Sequence, residues 1–482
     1  MILVQRSKVL SWIIIMGILL SFSLVSRAEE IYFQQAIKWG TKHNSALRDL
    51  RYKVNNLKRQ LIKLKAKMAW QLNLAGHVNY SRETITELNQ LGALDDEIER
   101  RKKFIFNLEG TKSFIWGLEL NPKLTLGQDK LVSNSFKFTN LEKKLDLKLS
   151  FSQKLYPQLP SELRQEYYFL QTDLQKAKIE LKWQRELKKI DWITKYLNLL
   201  RIKHKQDIFF NNYKLAKQNL EQIKEQKEIK EAGPRKVLAA QIKAQEAKIT
   251  LVKIKNKFKQ IKRNWRQELG YKKSKKILLN ITPWLKKLKH KVKDFNVEKI
   301  KKSKLVKKAK TEVPKIKYNL VQRKLVSKKL KWERAKAKPK VEFTGNYNYQ
   351  SADWQVGVNI NYNLFDSGYQ KLAKKDYQDQ LVNLKKDYQS LVADLGVQVK
   401  DLLEQLLQIK LQLQEKKTVL EKLRLETALF KKQLQAGGIT ADKFKEKRNE
   451  LKLVKIDVKM IRDKILANKL KLMHLTGSLN LN

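Results

Sequence analysis

Two very long helical segments constrain this chain more than any other feature. Residues 161–232 contain no glycine or proline, and residues 369–436 contain no proline and one glycine, Gly396. At about 1.5 Å per residue, each segment predicts a helix of roughly 100–110 Å, which is longer than a single globular core. The two helices must therefore be staves of a coiled coil or of a helical barrel.

Each long helix is predicted to end at a glycine turn, after which a helix of about half its length returns. The turns are Ala232-Gly233-Pro234 and Ala436-Gly437-Gly438. Glycine readily adopts the left-handed conformation that ends a helix, and proline cannot continue one. The return helices are expected at 235–269 and 440–475. Each covers half of a long helix and leaves room for another short helix beside the remainder.

A β-hairpin is predicted at residues 341–364, because apolar residues occupy alternate positions there. Asn and Gln fill most of the positions between them, so the two sets lie on opposite faces. The apolar set is Val341, Phe343, Tyr347, Tyr349, Trp354, Val356, Val358, Ile360, Tyr362 and Leu364. One apolar face and one Asn-rich face are typical of a barrel that contacts lipid outside and water inside.

The chain contains this arrangement twice. Opening helices are expected at 31–68, with a break at His43-Asn44-Ser45, and at 296–338, with a break at Val313-Pro314. In the first copy, alternating residues also mark strands at about 70–80 and 145–151. The predicted organisation is a signal peptide at 1–28, a first structural repeat at 29–270, a mid-rod link at 271–295 and a second repeat at 296–482.

The predicted fold is mainly α-helical with a small membrane β-barrel, to which each chain contributes four strands. Four strands cannot close a barrel, and open strand edges are not tolerated in lipid. The smallest barrels of this kind have about eight strands. Closure therefore requires oligomerisation, in which a dimer supplies eight strands and a trimer twelve.

The insertion at residues 81–144 distinguishes the first copy from the second. We expect it at the cell-exterior mouth, with residues 115–120 and 124–126 extending the strands. The acidic run Asp95-Asp96-Glu97-Ile98-Glu99 matches no calcium-loop spacing, so we expect a solvated surface loop there.

The N-terminal residues predict export. Arg6 and Lys8 precede an apolar stretch at 9–25, and small residues surround a cleavage position after Ala28. An uncleaved membrane anchor is the alternative. The sequence contains no cysteine, so disulfides, Cys-bound metals and an N-terminal lipid on cysteine are excluded.

The net charge of +56 raises nucleic acid as a partner. The lysines, however, are spread along whole helices, and export would separate the protein from cytoplasmic nucleic acid, so we expect no nucleic-acid role. The five histidines have no HExxH or other paired spacing, and the sequence contains no Walker or GxGxxG motif. We therefore expect neither an enzyme nor a cofactor or metal site.

The motifs at the ends of these segments resemble those of the outer-membrane efflux protein family, the TolC-like channels. The most specific are Leu364-Phe365-Asp366-Ser367-Gly368, Ala436-Gly437-Gly438-Ile439-Thr440 and Leu475-Thr476-Gly477-Ser478-Leu479, with Ala232-Gly233-Pro234 and Glu268-Leu269-Gly270 as counterparts in the first copy. The resemblance covers nearly the whole mature chain. It implies a homotrimer with a twelve-stranded outer-membrane barrel and a periplasmic α-helical barrel. It also implies a passive duct of a tripartite efflux or type I secretion system, docked to an inner-membrane transporter through a periplasmic adaptor.

The resemblance also assigns site residues. In that family, the turns after the long helices form a periplasmic tip that adaptors contact and that narrows to an entrance, often lined by acids. The entrance positions fall at Lys443 and Glu446, with Asp442 beside the first. Since Lys443 replaces the usual acid, a purely acidic ring is not expected. The adaptor-contacting residues would be Gly233, Pro234 and Arg235 in one turn and Gly437, Gly438, Ile439 and Thr440 in the other.

Two other protein classes compete with the duct. A periplasmic adaptor also uses long helical hairpins, but has a single hairpin with a large β-domain. A structural coiled coil that binds anionic surfaces is favoured by the charge alone. Because Lys and Arg outnumber acids along the long helices, we also expect a positive lumen that favours anionic substrates.

Overall fold

The computed structural model describes residues 30–88, 94–114, 116–132, 142–271, 276–277, 279, 282–297, 300–479 and 481. The expected signal peptide therefore lies outside the described residues.

Helices dominate the described part of the chain. They are α1 (Phe33–His43), α2 (Ser45–Lys67), α3 (Glu162–Glu228), α4 (Pro234–Glu268), α5 (Pro283–Asp294), α6 (Lys302–Lys310), α7 (Pro314–Lys336), α8 (Tyr369–Gln435) and α9 (Ala441–Leu475). The long helices α3 and α8 each have 67 residues, and the return helices α4 and α9 each have 35. The predicted two-to-one ratio of lengths is thus confirmed.

Both predicted breaks in the opening helices are present. Asn44 separates α1 from α2, and its side-chain oxygen accepts a hydrogen bond from the Leu47 amide (3.1 Å), which caps α2. Residues 311–313 separate α6 from α7. The expected start of the second opening helix at 296 was wrong, because α6 begins at Lys302.

The strands form two sheets. In the smaller one, β1 (Glu30–Ile31) pairs in parallel with β6 (Lys276–Ile277). The larger one is antiparallel throughout and has the order β2-β3-β4-β5-β7-β8. Its strands are β2 (Gln71–Leu88), β3 (Leu94–Ser113), β4 (Leu118–Val132), β5 (Glu142–Tyr156), β7 (Lys340–Asn348) and β8 (Asp353–Asn361).

The predicted number of four strands per chain was wrong, since the larger sheet has six. The insertion continues the sheet: β3 and β4 lie between β2 and β5, and β2 pairs with β3 along its whole length, from Gln71 opposite Thr111 to Leu88 opposite Leu94. The acidic run at 95–99 belongs to β3, so it is not the surface loop expected from its charge. Backbone pairing to β2, from Asp95 opposite Glu87 to Glu99 opposite Glu83, explains why this segment is extended.

The described residues separate into two compact units, each drawn from both halves of the sequence. The first unit takes its residues from Met1–Arg51, Glu180–Val313 and Ala393–Asn482. The second takes them from Tyr52–Ile179 and Pro314–Val392, and it contains the whole larger sheet. Each unit therefore combines segments of both predicted repeats.

The main apolar core lies in the first unit, where α1, the middle of α3, the end of α4, α5 and the end of α9 meet. Phe33 lies at its centre, with ring centroids 4.2 Å from Tyr196 and 6.5 Å from Trp265. The Trp265 indole donates to the carbonyl of Trp192 (3.1 Å), so this buried N–H is paired. The predicted link at 271–295 contributes α5, and its Leu285 is fully buried in this core.

Candidate functional site

One face of the larger sheet is apolar and exposed. Tyr347 pairs opposite Trp354, Phe343 opposite Val358 and Val341 opposite Ile360, so the apolar positions of β7 and β8 share a face. Trp354 is 72% exposed and Ile360 71%. The same pattern continues on β2 and β5; its exposed members there are Leu72, Leu74, Val78, Tyr80, Leu145, Leu147 and Leu149. An apolar surface of this extent marks contact with lipid or with another protein.

The opposite face of β7 and β8 is polar, as the alternation predicted. Asn346 pairs opposite Gln355, and Glu342 opposite Asn359. The amide of Asn359 donates to the hydroxyl of Thr344 (3.3 Å) across the two strands. This face carries the amide groups that the sequence assigned to the aqueous side.

The turn between α3 and α4 is exposed at Gly233, Pro234 and Arg235. Gly233 has an extended backbone and caps α4, while Pro234 occupies the first helical position, where the absence of an amide N–H costs nothing. The left-handed residue in this turn is Lys230 (φ 61°), three positions before the glycine. The sequence had indicated glycine as the residue that ends the helix.

The turn between α8 and α9 has the glycine-terminated geometry that was predicted. Gly437 adopts φ 75°, and the Gly438 amide donates to the Gln433 carbonyl (2.8 Å), which closes the end of α8. The hydroxyl of Thr440 accepts from the Lys443 amide (3.4 Å) and caps α9. Gly437, Gly438 and Thr440 are exposed and Ile439 is half-buried. Both turns thus present short, exposed surfaces to solvent.

The three predicted entrance residues lie in the first turns of α9. Asp442 forms an ion pair with Lys445 (2.9 Å), which neutralises its charge locally. Lys443 is exposed. Glu446 lines a cavity of about 410 Å³ together with Lys243 and Glu246 of α4 and others from α3. The structure therefore brings Glu446 next to residues of the first repeat, but not Lys443 or Asp442.

Polar contacts join α3 to α9 along the first unit, and the sequence did not predict them. Asn449 donates to Asn212 (2.7 Å). Lys205 pairs with Asp457 (2.6 Å), and Arg201 with Asp463 (2.8 Å). These contacts link the two predicted repeats.

A second set of contacts fastens α8 to α9 near their shared turn. Lys447 contacts Glu426 (2.6 Å) and Glu450 (3.0 Å). The hydrogen bond from Lys447 lowers the pKa of Glu426, and hydrogen bonds to Glu426 and Glu450 raise the pKa of Lys447. Both groups therefore stay charged over the physiological range of pH.

His474 is a buried titratable group near the end of α9. Its ring lies 3.9 Å from that of Trp183, and its Nε2 atom has no hydrogen-bond partner. Burial lowers the pKa of His474 to about 4, against a smaller opposing effect of Glu186. Burial and the charges of Arg201 and Lys459 also lower the pKa of His204.

We predict that acid destabilises the protein through His474. Because the pKa of His474 is lower in the folded than in the unfolded state, its contribution to stability is fully present above pH 6.5. That contribution is lost as the pH falls towards 4. The free energy of unfolding should fall by about 2 kcal/mol between pH 7.5 and pH 5. Denaturant titrations at both pH values measure this loss. His474→Phe should remove most of it, leaving the smaller contribution of His204; an unchanged loss would contradict the assignment.

Within the described residues, no group of three or more His, Cys, Asp or Glu side chains is placed to hold a metal ion. None of the helices in this part of the chain is both long and apolar enough to cross a membrane.

Comparison of the whole structure with solved structures identifies the fold. CmeC, the outer membrane channel of Campylobacter jejuni, matches with a TM-score of 0.59 at 11% sequence identity, over 92% of this chain and 85% of that chain. This chain has the fold of outer-membrane channels. VceC, an outer membrane protein of Vibrio cholerae, matches with a TM-score of 0.56 at 12% identity, over 92% and 95% of the two chains.

A third match is CusC, whose structures are described in terms of folding and transmembrane channel formation. It has a TM-score of 0.58 at 12% identity, and the match covers 92% of this chain and 91% of CusC. No family profile matches the sequence, and no curated protein matches it by sequence. The expected TolC-like fold is thus confirmed by structure, at a level of identity where sequence comparison finds nothing.

Proposed function

We propose that the chain forms a homotrimeric duct in the outer membrane that extends into the periplasm. The observation that carries this proposal is the exposed apolar face of the larger sheet, backed by a polar face rich in Asn and Gln. Apolar side chains such as Trp354 and Ile360 would contact lipid, and the amides would contact water in the lumen. The fold shared with outer-membrane channels supports the same conclusion.

The edges of the sheet support assembly. Strands β2 and β8 are the two outer strands, and in the described chain each pairs on one side only. Six antiparallel strands make the first and last run in opposite directions, so β8 of one copy can pair antiparallel with β2 of the next. Three copies would contribute 3 × 6 = 18 strands, in place of the twelve expected from four per chain. Such closure satisfies the edge groups in lipid.

The helices would form the periplasmic part of the duct. We place its entrance at Lys443 and Glu446, with Asp442 beside them, and the adaptor contacts at the two exposed turns, 233–235 and 437–440. Substrates would pass through passively, delivered by an inner-membrane transporter and a periplasmic adaptor. In this proposal residues 1–28 are the cleaved signal, and 29–270 and 296–482 are the repeats on either side of the link at 271–295.

Conductance tests the duct directly. The purified full chain should assemble as a trimer, require detergent for extraction from membranes and conduct ions across a planar lipid bilayer. A chain that salt alone removes from membranes and that gives no conductance would overturn the proposal and favour the anionic-surface coiled coil.

Selectivity tests the entrance. If Lys443 lines it, Lys443→Glu exchanges one positive for one negative charge in each copy, a change of about six charges in a trimer, and should move the reversal potential in a salt gradient towards cation selectivity. Lys385→Glu, on an exposed part of α8 in the second unit, is the matched control and should leave the reversal potential unchanged. The wild type is expected to prefer anions. Equal shifts of the reversal potential in both variants would contradict the placement of Lys443 at the entrance.

A further inference from the structure

We propose that a cavity at the end of the larger sheet binds the phosphate headgroup of an anionic membrane lipid. This inference rests on the proposed outer-membrane location. It adds a specific lipid site to a surface that otherwise contacts only hydrocarbon chains.

The cavity lies in the second unit and has a volume of about 590 Å³. Strand β5, the segment after it, α3 and α7 form its walls. Four of its described lining residues are cations, namely Lys154, Arg164, Lys328 and Lys331, and none of the described lining residues is Asp or Glu. A cavity with this lining attracts an anion, and phosphate is an anion that both Arg and Lys bind in proteins.

Aromatic rings line the same cavity. The Tyr168 ring centroid lies 5.9 Å from that of Trp332, and the Lys328 ammonium lies 4.0 Å from the Tyr168 centroid. Lys328 and Lys331 are exposed, whereas Trp332 is half-buried. Aromatic rings beside exposed lysines are typical of the boundary between hydrocarbon and headgroups.

The cavity borders the end of the apolar face of the sheet, and Lys154, from the other alternate set of β5, also lines it. Gln153 pairs opposite Phe343 and belongs to the same alternate set of β5 as the exposed Leu145 and Leu149. Its side-chain amide donates to the carbonyls of Lys154 (3.1 Å) and Trp116 (3.5 Å). A lipid whose acyl chains lie on the apolar face would thus place its headgroup among the cations.

The position of the cavity within the sheet leaves it accessible after assembly. It adjoins β5, which lies between β4 and β7, and not the outer strands β2 and β8 through which copies would pair. Pairing of copies through those edges does not use the strand that borders the cavity. The occupant is therefore a lipid of the surrounding membrane rather than a second copy of the chain.

Binding of defined lipids to the full-length oligomer tests the proposal. Native mass spectrometry in detergent compares phosphatidylglycerol with phosphatidylcholine of the same acyl chains. The wild type should retain phosphatidylglycerol preferentially. Lys328→Gln/Lys331→Gln should weaken that binding by about 25-fold, since removing each cation near an anionic surface is expected to cost about fivefold.

Matched variants separate this site from the general positive charge of the protein. Lys385→Gln/Lys386→Gln removes two exposed lysines of α8 and should bind phosphatidylglycerol as the wild type does. Lys328→Arg/Lys331→Arg keeps both positive charges and should bind phosphatidylglycerol as the wild type does. If the double glutamine variant does not assemble, Lys331→Gln alone is compared in the same way.

Three outcomes would overturn the proposal. The first is unchanged phosphatidylglycerol binding by the cavity variants, and the second is an equal loss in the α8 control. The third is displacement of the lipid by an equimolar concentration of inorganic phosphate, which would assign the cavity to free phosphate. Conductance of the same preparations distinguishes this failure from failure of the duct, because a conducting oligomer without preferential lipid binding retains the proposed function.

Discussion

Asp463→Ala should lower the free energy of unfolding by about 3–5 kcal/mol, the loss typical of leaving a buried charge without its partner. Asp463 accepts from Arg201 (2.8 Å) through one carboxylate oxygen and from Lys289 (3.2 Å) through the other. The Arg201 side chain is only 4% exposed, so removal of the carboxylate leaves a largely buried charge without this partner. Guanidinium denaturation of the detergent-solubilised protein, followed by helical circular dichroism, measures the loss.

Asp457→Ala is the matched control. Asp457 pairs with Lys205 (2.6 Å) across the same two helices, but its side chain is 36% exposed, so its loss should cost less than about 1 kcal/mol. The double variant Arg201→Met/Asp463→Leu should recover much of the stability, because both buried charges are then absent. Similar losses of unfolding free energy for Asp463→Ala and Asp457→Ala would show that burial does not set the contribution of the Arg201–Asp463 pair.

Val356→Lys should destabilise the membrane-inserted protein by about 2–4 kcal/mol, the cost of a lysine on the lipid face near the middle of a bilayer. Val356 lies near the centre of β8, and its side chain is 52% exposed on the apolar face. Reversible refolding into phospholipid vesicles, followed by tryptophan fluorescence during a denaturant titration, measures the change.

The neighbouring residue supplies the control. Gln355→Lys places the same charge one residue away, on the polar face opposite Asn346, and should change the free energy by less than about 1 kcal/mol. Equal losses at the two positions would mean that the two faces of β8 contact the same environment, which would contradict a lipid-facing and a lumen-facing side.

The long helices could be predicted because their signals are local. Long runs of helix-forming residues predict α3 and α8. Gly437 and Pro234 mark where the chain turns. Strands β7 and β8 could be predicted equally well, since residues alternate from Val341 to Tyr349 and again from Trp354 to Ile360, which assigns each residue to a face. These signals also led to the fold, because their order along the chain resembles that of a known family.

The insertion and the contacts between repeats could not be predicted in the same way. Charged residues at 95–99 indicated a loop, yet hydrogen bonding to β2 holds this segment in a strand. Periodicity shows which face of a helix is buried, but it does not identify the partner. Nothing local in the sequence therefore distinguishes the buried Arg201 from the many exposed cations around it, or selects Asp463 as its acceptor.

In the proposed duct, the unequal lengths of the strands affect the surface that faces the outside of the cell. Strands β2 and β3 have 18 and 20 residues, whereas β7 and β8 have 9 each. A strand crosses the hydrocarbon layer in about 9–11 residues, so roughly half of the β2–β3 hairpin has no place in lipid. In the proposed trimer, three long β2–β3 hairpins would alternate around the barrel with three short β7–β8 hairpins. A phage or an antibody arriving from outside would contact the long hairpins before it reached the pore.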